Sequence, residues 1–88
     1  MRVHLLISGL TQGVGFRHNT RRKARLWNVI GFVRNLPDGN VEIEAQGTAE
    51  DVERLIHWAH HGPADAIVEN VSRKDVNDRI GETSFEVK

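Results

Sequence analysis

The 88-residue sequence contains no cysteine, which excludes disulfides, a thiol nucleophile and thiolate metal ligands. It also lacks tyrosine and has only three phenylalanines and two tryptophans. No apolar run approaches the roughly 20 residues that a membrane-spanning helix needs, and the N-terminus does not resemble a signal peptide. We therefore expect a cytoplasmic protein that does not insert into a membrane.

Acidic residues are absent from one part of the chain. Residues 1–37 contain seven Lys or Arg and no Asp or Glu, whereas residues 38–88 contain five Lys or Arg and all twelve acids. The overall net charge of zero argues against a general nucleic-acid binder, because such proteins usually carry a basic surplus. The +7 and −7 halves instead indicate a local anion site in the N-terminal third.

Hydrophobic periodicity predicts five strands and two helices in one domain, residues 1–88. The strands are expected at 3–8, 29–35, 41–45, 66–71 and 83–87, with Phe85 and Val87 pointing inward. One helix follows Phe16 and the other follows Thr48. The order βαββαβ with an extra C-terminal strand predicts a ferredoxin-like α+β sandwich, with both helices on one face of a mainly antiparallel sheet.

Each predicted helix has recognisable ends. One face of the first helix carries small or apolar residues, namely Phe16, Thr20, Ala24 and Trp27. Asn28 follows it and can adopt the left-handed conformation that ends a helix. Thr48 and Asp51 form an acidic variant of the capping box at the start of the second helix, and Gly62-Pro63 ends it.

A glycine-rich segment, Gly9-Leu10-Thr11-Gln12-Gly13-Val14-Gly15-Phe16, separates the first strand from the first helix. Such a turn can aim successive backbone amides at one anion, and the helix N-terminus adds partial positive charge. Arg17 in the first turn could hold two phosphate oxygens. The segment is neither a P-loop nor a dinucleotide fingerprint, because the residues those motifs require are missing. The plainer interpretation is a flexible loop with an exposed arginine.

The segment from Gly9 to Arg17 resembles the first signature of the acylphosphatase family. Gly31-Phe32-Val33-Arg34-Asn35, with Asp38-Gly39-Asn40-Val41 after it, resembles the second. Ala45-Gln46-Gly47 and the segment 62–66 also resemble the family pattern, so the resemblance covers essentially the whole chain. It implies hydrolysis of acyl phosphates to a carboxylate and inorganic phosphate, without a metal or cofactor.

The resemblance also implies roles for particular residues. The side chain of Arg17 and the backbone amides of Gln12, Gly13, Val14, Gly15, Phe16 and Arg17 would bind the phosphoryl group. Asn35 would position the attacking water. In a split βαβ unit the first two strands run the same way, so the loop and Asn35 should share one sheet edge, about 10 Å apart. We expect a monomer acting on a small molecule, without a nucleic-acid partner.

Four positions depart from the family pattern. Thr11 stands where the family usually has Val, and Trp27-Asn28 replaces a common Leu-Gly pair. Leu36 takes a position often held by Thr, and its side chain cannot form the secondary hydrogen bond that a threonine hydroxyl would make near Asn35. We expect these departures to tune rate or stability, since none alters Arg17 or Asn35.

Other features have a functional and a plainer interpretation. His57 and His61 are spaced i, i+4, which suits a metal, but no third ligand is evident and a solvated helix end is simpler. Arg21, Arg22, Lys23 and Arg25 could bind RNA or form an ordinary solvated helix face. The two tryptophans are interpreted as packing residues.

Two other classes of protein remain as alternatives. A ferredoxin-like RNA-recognition domain would stack bases on strand aromatics, and here the strands offer only Phe32 and Phe85. An acylphosphatase-like domain of a larger carbamoyl-transfer maturation protein is the second alternative. A chain running from Met1 to its last strand favours a free-standing enzyme.

Overall fold

The computed structural model describes residues 1–88 as five strands and two helices in the predicted order. The elements are β1 (Arg2–Leu10), α1 (Phe16–Leu26), β2 (Ile30–Asn35), β3 (Val41–Gln46), α2 (Ala49–Ala59), β4 (Ile67–Val76) and β5 (Phe85–Val87). The helices pack on a single sheet, which confirms the ferredoxin-like α+β fold with an added C-terminal strand. Neither helix is both long and apolar enough to span a bilayer.

The strands lie side by side in the order β4-β1-β3-β2-β5. Strand β1 pairs antiparallel with β3 and β4, β2 pairs antiparallel with β3, and only the β2–β5 pair is parallel. Because β3 lies between β1 and β2, those two strands run in the same direction. The loop after β1 and Asn35 at the end of β2 therefore share one sheet edge, as predicted.

The core lies between the sheet and the two helices. Inward side chains of β1, β2 and β3 occupy alternate positions, and in register they pair across strands, as Leu5 does with Ile43. The buried apolar cluster consists of Val3, Leu5, Ile7, Phe16, Ala24, Val29, Val33, Val41, Ile43, Ala45, Val52, Leu55, Ile56, Ala59 and Phe85. This core fixes the sheet edge against the start of α1.

The predicted helix ends and packing residues are confirmed. Asn28 has the left-handed φ of 56°, and the Thr48 hydroxyl oxygen accepts a hydrogen bond from the Asp51 amide at 3.2 Å. Trp58 is half-buried, and its ring lies 5.5 Å from that of Phe16. Trp27 is also half-buried and packs against the core cluster.

The two C-terminal strands differ from their predicted extents. Strand β4 continues to Val76, five residues past its predicted end, and its last residues are polar because it is an edge strand with one neighbour. Strand β5 begins at Phe85 rather than at position 83. Phe85 is buried as predicted, but Val87 is 37% exposed. The prediction that Val87 points into the core is wrong, because β5 ends at the open margin of the sheet.

Candidate active site

The loop between β1 and α1, residues 11–15, depends on two glycines with positive φ. Gly13 has φ 77° and Gly15 has φ 78°, a region that side chains other than glycine and asparagine rarely adopt. A Cβ added to Gly13 would meet no atom within 4 Å. The backbone at Gly13 is therefore open to close approach by a ligand.

Backbone N–H groups without partners collect at this loop. The amides of Gln12, Gly13, Val14 and Gly15 donate no hydrogen bond within the protein. Helix α1 begins at Phe16, its N-cap residue Gly15 provides no side-chain cap, and its first turn has no acidic residue. The first amides of a helix lack intrahelical acceptors and carry partial positive charge. Loop and helix together present an anion-binding surface.

Two side chains tie the loop to the β2–β3 turn, residues 36–40. The Thr11 hydroxyl, which is buried, donates to the Gly39 carbonyl at 3.3 Å. The side-chain nitrogen Nε2 of Gln12 donates to the carbonyls of Leu36 at 2.9 Å and Asn40 at 3.1 Å. Thr11 thus adds a hydrogen bond as well as filling volume. Since Leu36 accepts through its backbone, this link does not depend on its side chain.

A cavity of about 310 Å³ lies beside the loop and contains both predicted catalytic side chains. It is lined by Thr11, Gly13, Gly15, Phe16, Arg17, His18, Arg21, Asn35 and Val87. The structure therefore brings Arg17, Asn35 and most of the predicted loop residues together. Gln12 and Val14 do not line the cavity: Gln12 reaches the β2–β3 turn, and Val14 packs against the core.

Arg17 reaches the cavity from the first turn of α1. Its Nη1 donates to the main-chain oxygen of Lys88 at 3.3 Å, and it makes no salt bridge with an Asp or Glu side chain. No Asp or Glu lines the cavity. A single contact to a main-chain oxygen leaves most of the guanidinium's donors free for an anionic ligand.

The carboxylates with a lowered pKa lie outside the cavity: Glu42 is on β3, Glu53 is on α2, and Glu82 is in the connection before β5. A hydrogen bond from Arg2 lowers the pKa of Glu82, against the opposing effect of burial. Burial raises the pKa of Glu42, but hydrogen bonds from His4 and Arg34 outweigh it and lower that pKa overall. Acids are therefore ionised and paired away from the cavity, which keeps the cavity's positive field uncancelled.

Four cavity residues were not predicted as site residues. Arg21 was interpreted as part of an RNA-binding or solvated helix face, Val87 as a core residue and Thr11 as a departure from the family pattern, and no role was predicted for His18. The i, i+4 spacing of Arg17 and Arg21 was a usable signal, since residues four apart on a helix share a face. Nothing in the sequence indicated that β5 ends at the cavity.

The possible metal-binding histidines and the strand aromatics lie outside this cavity. The rings of His57 and His61 lie 5.6 Å apart, and no group of three or more His, Cys, Asp or Glu is placed to hold a metal. Phe32 and Phe85, the strand aromatics that an RNA-recognition domain would need, are 7% and 1% exposed. Neither offers an accessible face for a base.

Comparisons with known proteins show the family of this chain. The family model described as Acylphosphatase matches residues 3–87. An acylphosphatase from Hahella chejuensis is 46% identical over 81 residues, covering 92% of this chain and 86% of the relative. The structure of an acylphosphatase from Coxiella burnetii matches with a TM-score of 0.94 and 34% identity, covering 99% and 90% of the two chains.

One further similarity involves a longer protein. The structure of HypF from T. kodakarensis matches with a TM-score of 0.87 and 31% identity, covering 100% of this chain but 12% of that one. The same fold thus also occurs within larger chains. The family match over nearly the full length and the relatives of similar size give one conclusion: the chain belongs to the acylphosphatase family, and its activity is the hydrolysis of acyl phosphates.

Proposed function

We propose that the cavity beside the 11–15 loop is the catalytic centre and that Arg17 and Asn35 have distinct roles in it. Arg17 and the backbone amides of residues 12–17 bind the phosphoryl group of the acyl phosphate. Asn35 orients the attacking water. The observation that carries this proposal is that Arg17 and Asn35 line one acid-free cavity next to unpaired loop amides.

The reaction needs one nucleophile and one leaving group. The water oxygen attacks phosphorus as the bond between phosphorus and the bridging oxygen breaks, and the acyl group leaves as a carboxylate. The conjugate acid of that carboxylate has a pKa of about 4, so the leaving group needs no proton. The proton lost by water passes to a phosphoryl oxygen, and the products are a carboxylate and inorganic phosphate.

Positioning and charge stabilisation then account for the protein's contribution. The side-chain amide of Asn35 cannot act as a base at neutral pH, but it can hold water by hydrogen bonds. Arg17 and the loop amides donate to oxygens that gain charge in the transition state. An acid-free cavity suits a substrate that carries negative charge, because a carboxylate there would repel it.

The proposal also includes the oligomeric state, the compartment and the cofactor requirement of the protein. The protein acts as a single-domain monomer in the cytoplasm, without a cofactor, and this remains a prediction from the sequence. The match to 86% of the Hahella relative's length supports a free-standing enzyme over a domain of a larger protein. Analytical ultracentrifugation of the purified chain tests the monomer.

The separate roles are tested by replacing Asn35 with alanine. Because Asn35 holds water rather than the phosphoryl group, N35A should lower kcat for acetyl phosphate by about 100-fold, the loss typical of a missing positioning donor. Competitive inhibition by inorganic phosphate should not change. N40A, in the neighbouring turn, is the control and should retain its kcat. Loss of phosphate inhibition in N35A, or an unchanged kcat, contradicts the assignment.

A further inference from the structure

Arg21 is a second guanidinium in the cavity, and the reaction as proposed does not use it. It is half-buried and lines the same cavity as Arg17 and Asn35. Arg21 takes part in none of the protein's side-chain hydrogen bonds and in none of its salt bridges, whereas Arg2, Arg34 and Arg73 all pair with carboxylates. A partly desolvated cation facing a cavity without a counterion is suited to binding an anion.

The helix places Arg21 at a defined distance from the phosphoryl site. Arg17 lies in the first turn of α1, next to the loop, and Arg21 lies on the same face one turn further along. Four residues advance about 6 Å along a helix axis. A ligand held at the loop by its phosphoryl group would therefore reach Arg21 only with a part several bonds away from phosphorus.

We propose that Arg21 binds a negatively charged group at the far end of the acyl chain. The preferred substrates are then acyl phosphates of short acids that carry a second anionic group, a carboxylate or a phosphate, rather than acyl phosphates with an uncharged acyl chain. This proposal rests on the proposed function, since it takes the phosphoryl group to be held by Arg17 and the loop.

The position of Arg21 also separates this role from general attraction of anions. Arg22 and Arg25 lie on the same helix and carry the same charge, but they are exposed and line other surfaces. General attraction depends on summed charge, so loss of any one of these arginines would weaken the binding of every anionic substrate, and loss of Arg22 would have the same effect as loss of Arg21. A direct contact to the acyl end instead affects only substrates that have an anion there.

The test compares acetyl phosphate, whose acyl chain is uncharged, with succinyl phosphate, whose chain ends in a carboxylate. R21Q removes one charge-assisted hydrogen bond to the carboxylate of succinyl phosphate. The resulting loss of binding affinity should raise KM for succinyl phosphate about tenfold. KM for acetyl phosphate should stay at the wild-type value. R22Q, the matched control, removes the same charge from the exposed side of α1 and should leave both KM values unchanged.

The possible results of this experiment distinguish failure of the Arg21 proposal from failure of the proposed catalytic function. Equal KM increases for both substrates in R21Q would place Arg21 on the phosphoryl group, and unchanged values for both would give it no role; either result overturns the inference. An equal effect of R22Q on succinyl phosphate would show general attraction and overturn it as well. Failure of the wild-type protein to hydrolyse acetyl phosphate would instead count against the proposed function.

Discussion

Two arginines of this protein, Arg2 and Arg17, have the same side chain and opposite surroundings. Arg2 is fully buried and donates to Glu44 at 2.8 Å, to Glu82 through two nitrogens, and to Gln46. Arg17 faces a cavity that no Asp or Glu lines, and it donates only to the main-chain oxygen of Lys88. Glu44 and Glu82 accept three of the hydrogen bonds that the first guanidinium donates, whereas no Asp or Glu accepts one from the second.

The difference shows how the chain's uneven charge is used. Arg2 joins β1 to β3 and to the connection that precedes β5, so its ion pairs stabilise the fold. The acids that partner it come from the C-terminal half, and none of that half's acids lines the cavity. A guanidinium paired with carboxylates holds structure together, whereas one without them remains available to an anionic substrate.

Replacing Arg17 should produce the largest effect on activity. R17A removes a donor aimed at transition-state charge, so the rate of acetyl phosphate hydrolysis should fall by about 100- to 1000-fold or more. Inorganic phosphate should also bind more weakly. Arg17 makes one hydrogen bond within the protein. The free energy of unfolding of R17A should therefore differ from that of wild type by less than about 1 kcal/mol.

The control for R17A is R22A, which removes an exposed arginine from the same helix. R22A should keep both the rate and phosphate binding, measured by steady-state kinetics and calorimetry. Near-normal hydrolysis by R17A would contradict the assignment of Arg17.

Replacing Arg2 should produce the opposite result, with stability lost and activity kept. R2M retains most of the apolar stem but leaves Glu44 and Glu82 without their guanidinium. Removing one member of a buried ion pair is costly, and since the two acids are 16% and 21% exposed we expect a loss of about 2–4 kcal/mol. Urea unfolding measures it. Equal unfolding free energies for R2M and wild type would show that the network contributes no stability.

Acidification should lower the free energy of unfolding by a smaller amount than R2M does, because it neutralises paired carboxylates. The pKa of Glu82 and that of Glu42 are lowered in the folded protein from their usual 4.5. Their contribution to stability is therefore complete above pH 4.5 and is lost as the pH falls through the lower folded values. In urea unfolding at pH 7 and pH 3, E82Q should lose less stability between the two pH values than wild type. An equal loss in both proteins would rule out this role for Glu82.

The sequence was sufficient to predict the fold because each local signal agrees with the next. Alternation in Val41-Glu42-Ile43-Glu44-Ala45 predicts a strand with one buried face, and the structure buries these apolar residues. Turn and cap residues separate the elements clearly. One exception was the end of β4, where an edge strand exposed on both faces has the polar composition of a loop. The other was β5, which begins at Phe85 and leaves Val87 exposed.

The candidate site was predicted less completely, for a physical reason. Arg17 and Asn35 are carried by motifs, and the structure brings them to one cavity. The hydrogen bonds that hold the loop join residues 24 and 28 positions apart, as Gln12 does with Leu36 and Asn40. Such contacts depend on strand register and side-chain rotamers, which local patterns in one sequence do not encode.

The most direct test of the central claim is to place a carboxylate in the acid-free cavity. N35D changes an amide into an acid of the same size on the cavity wall and gives Arg17 the kind of neighbour that Arg2 has. Binding of inorganic phosphate, measured by isothermal titration calorimetry at pH 7, should weaken about tenfold or more through repulsion between the charges. N35A, which adds no charge, should bind phosphate like wild type. Equal phosphate affinity in N35D and N35A would contradict the claim that the absence of carboxylates keeps Arg17 available for the substrate.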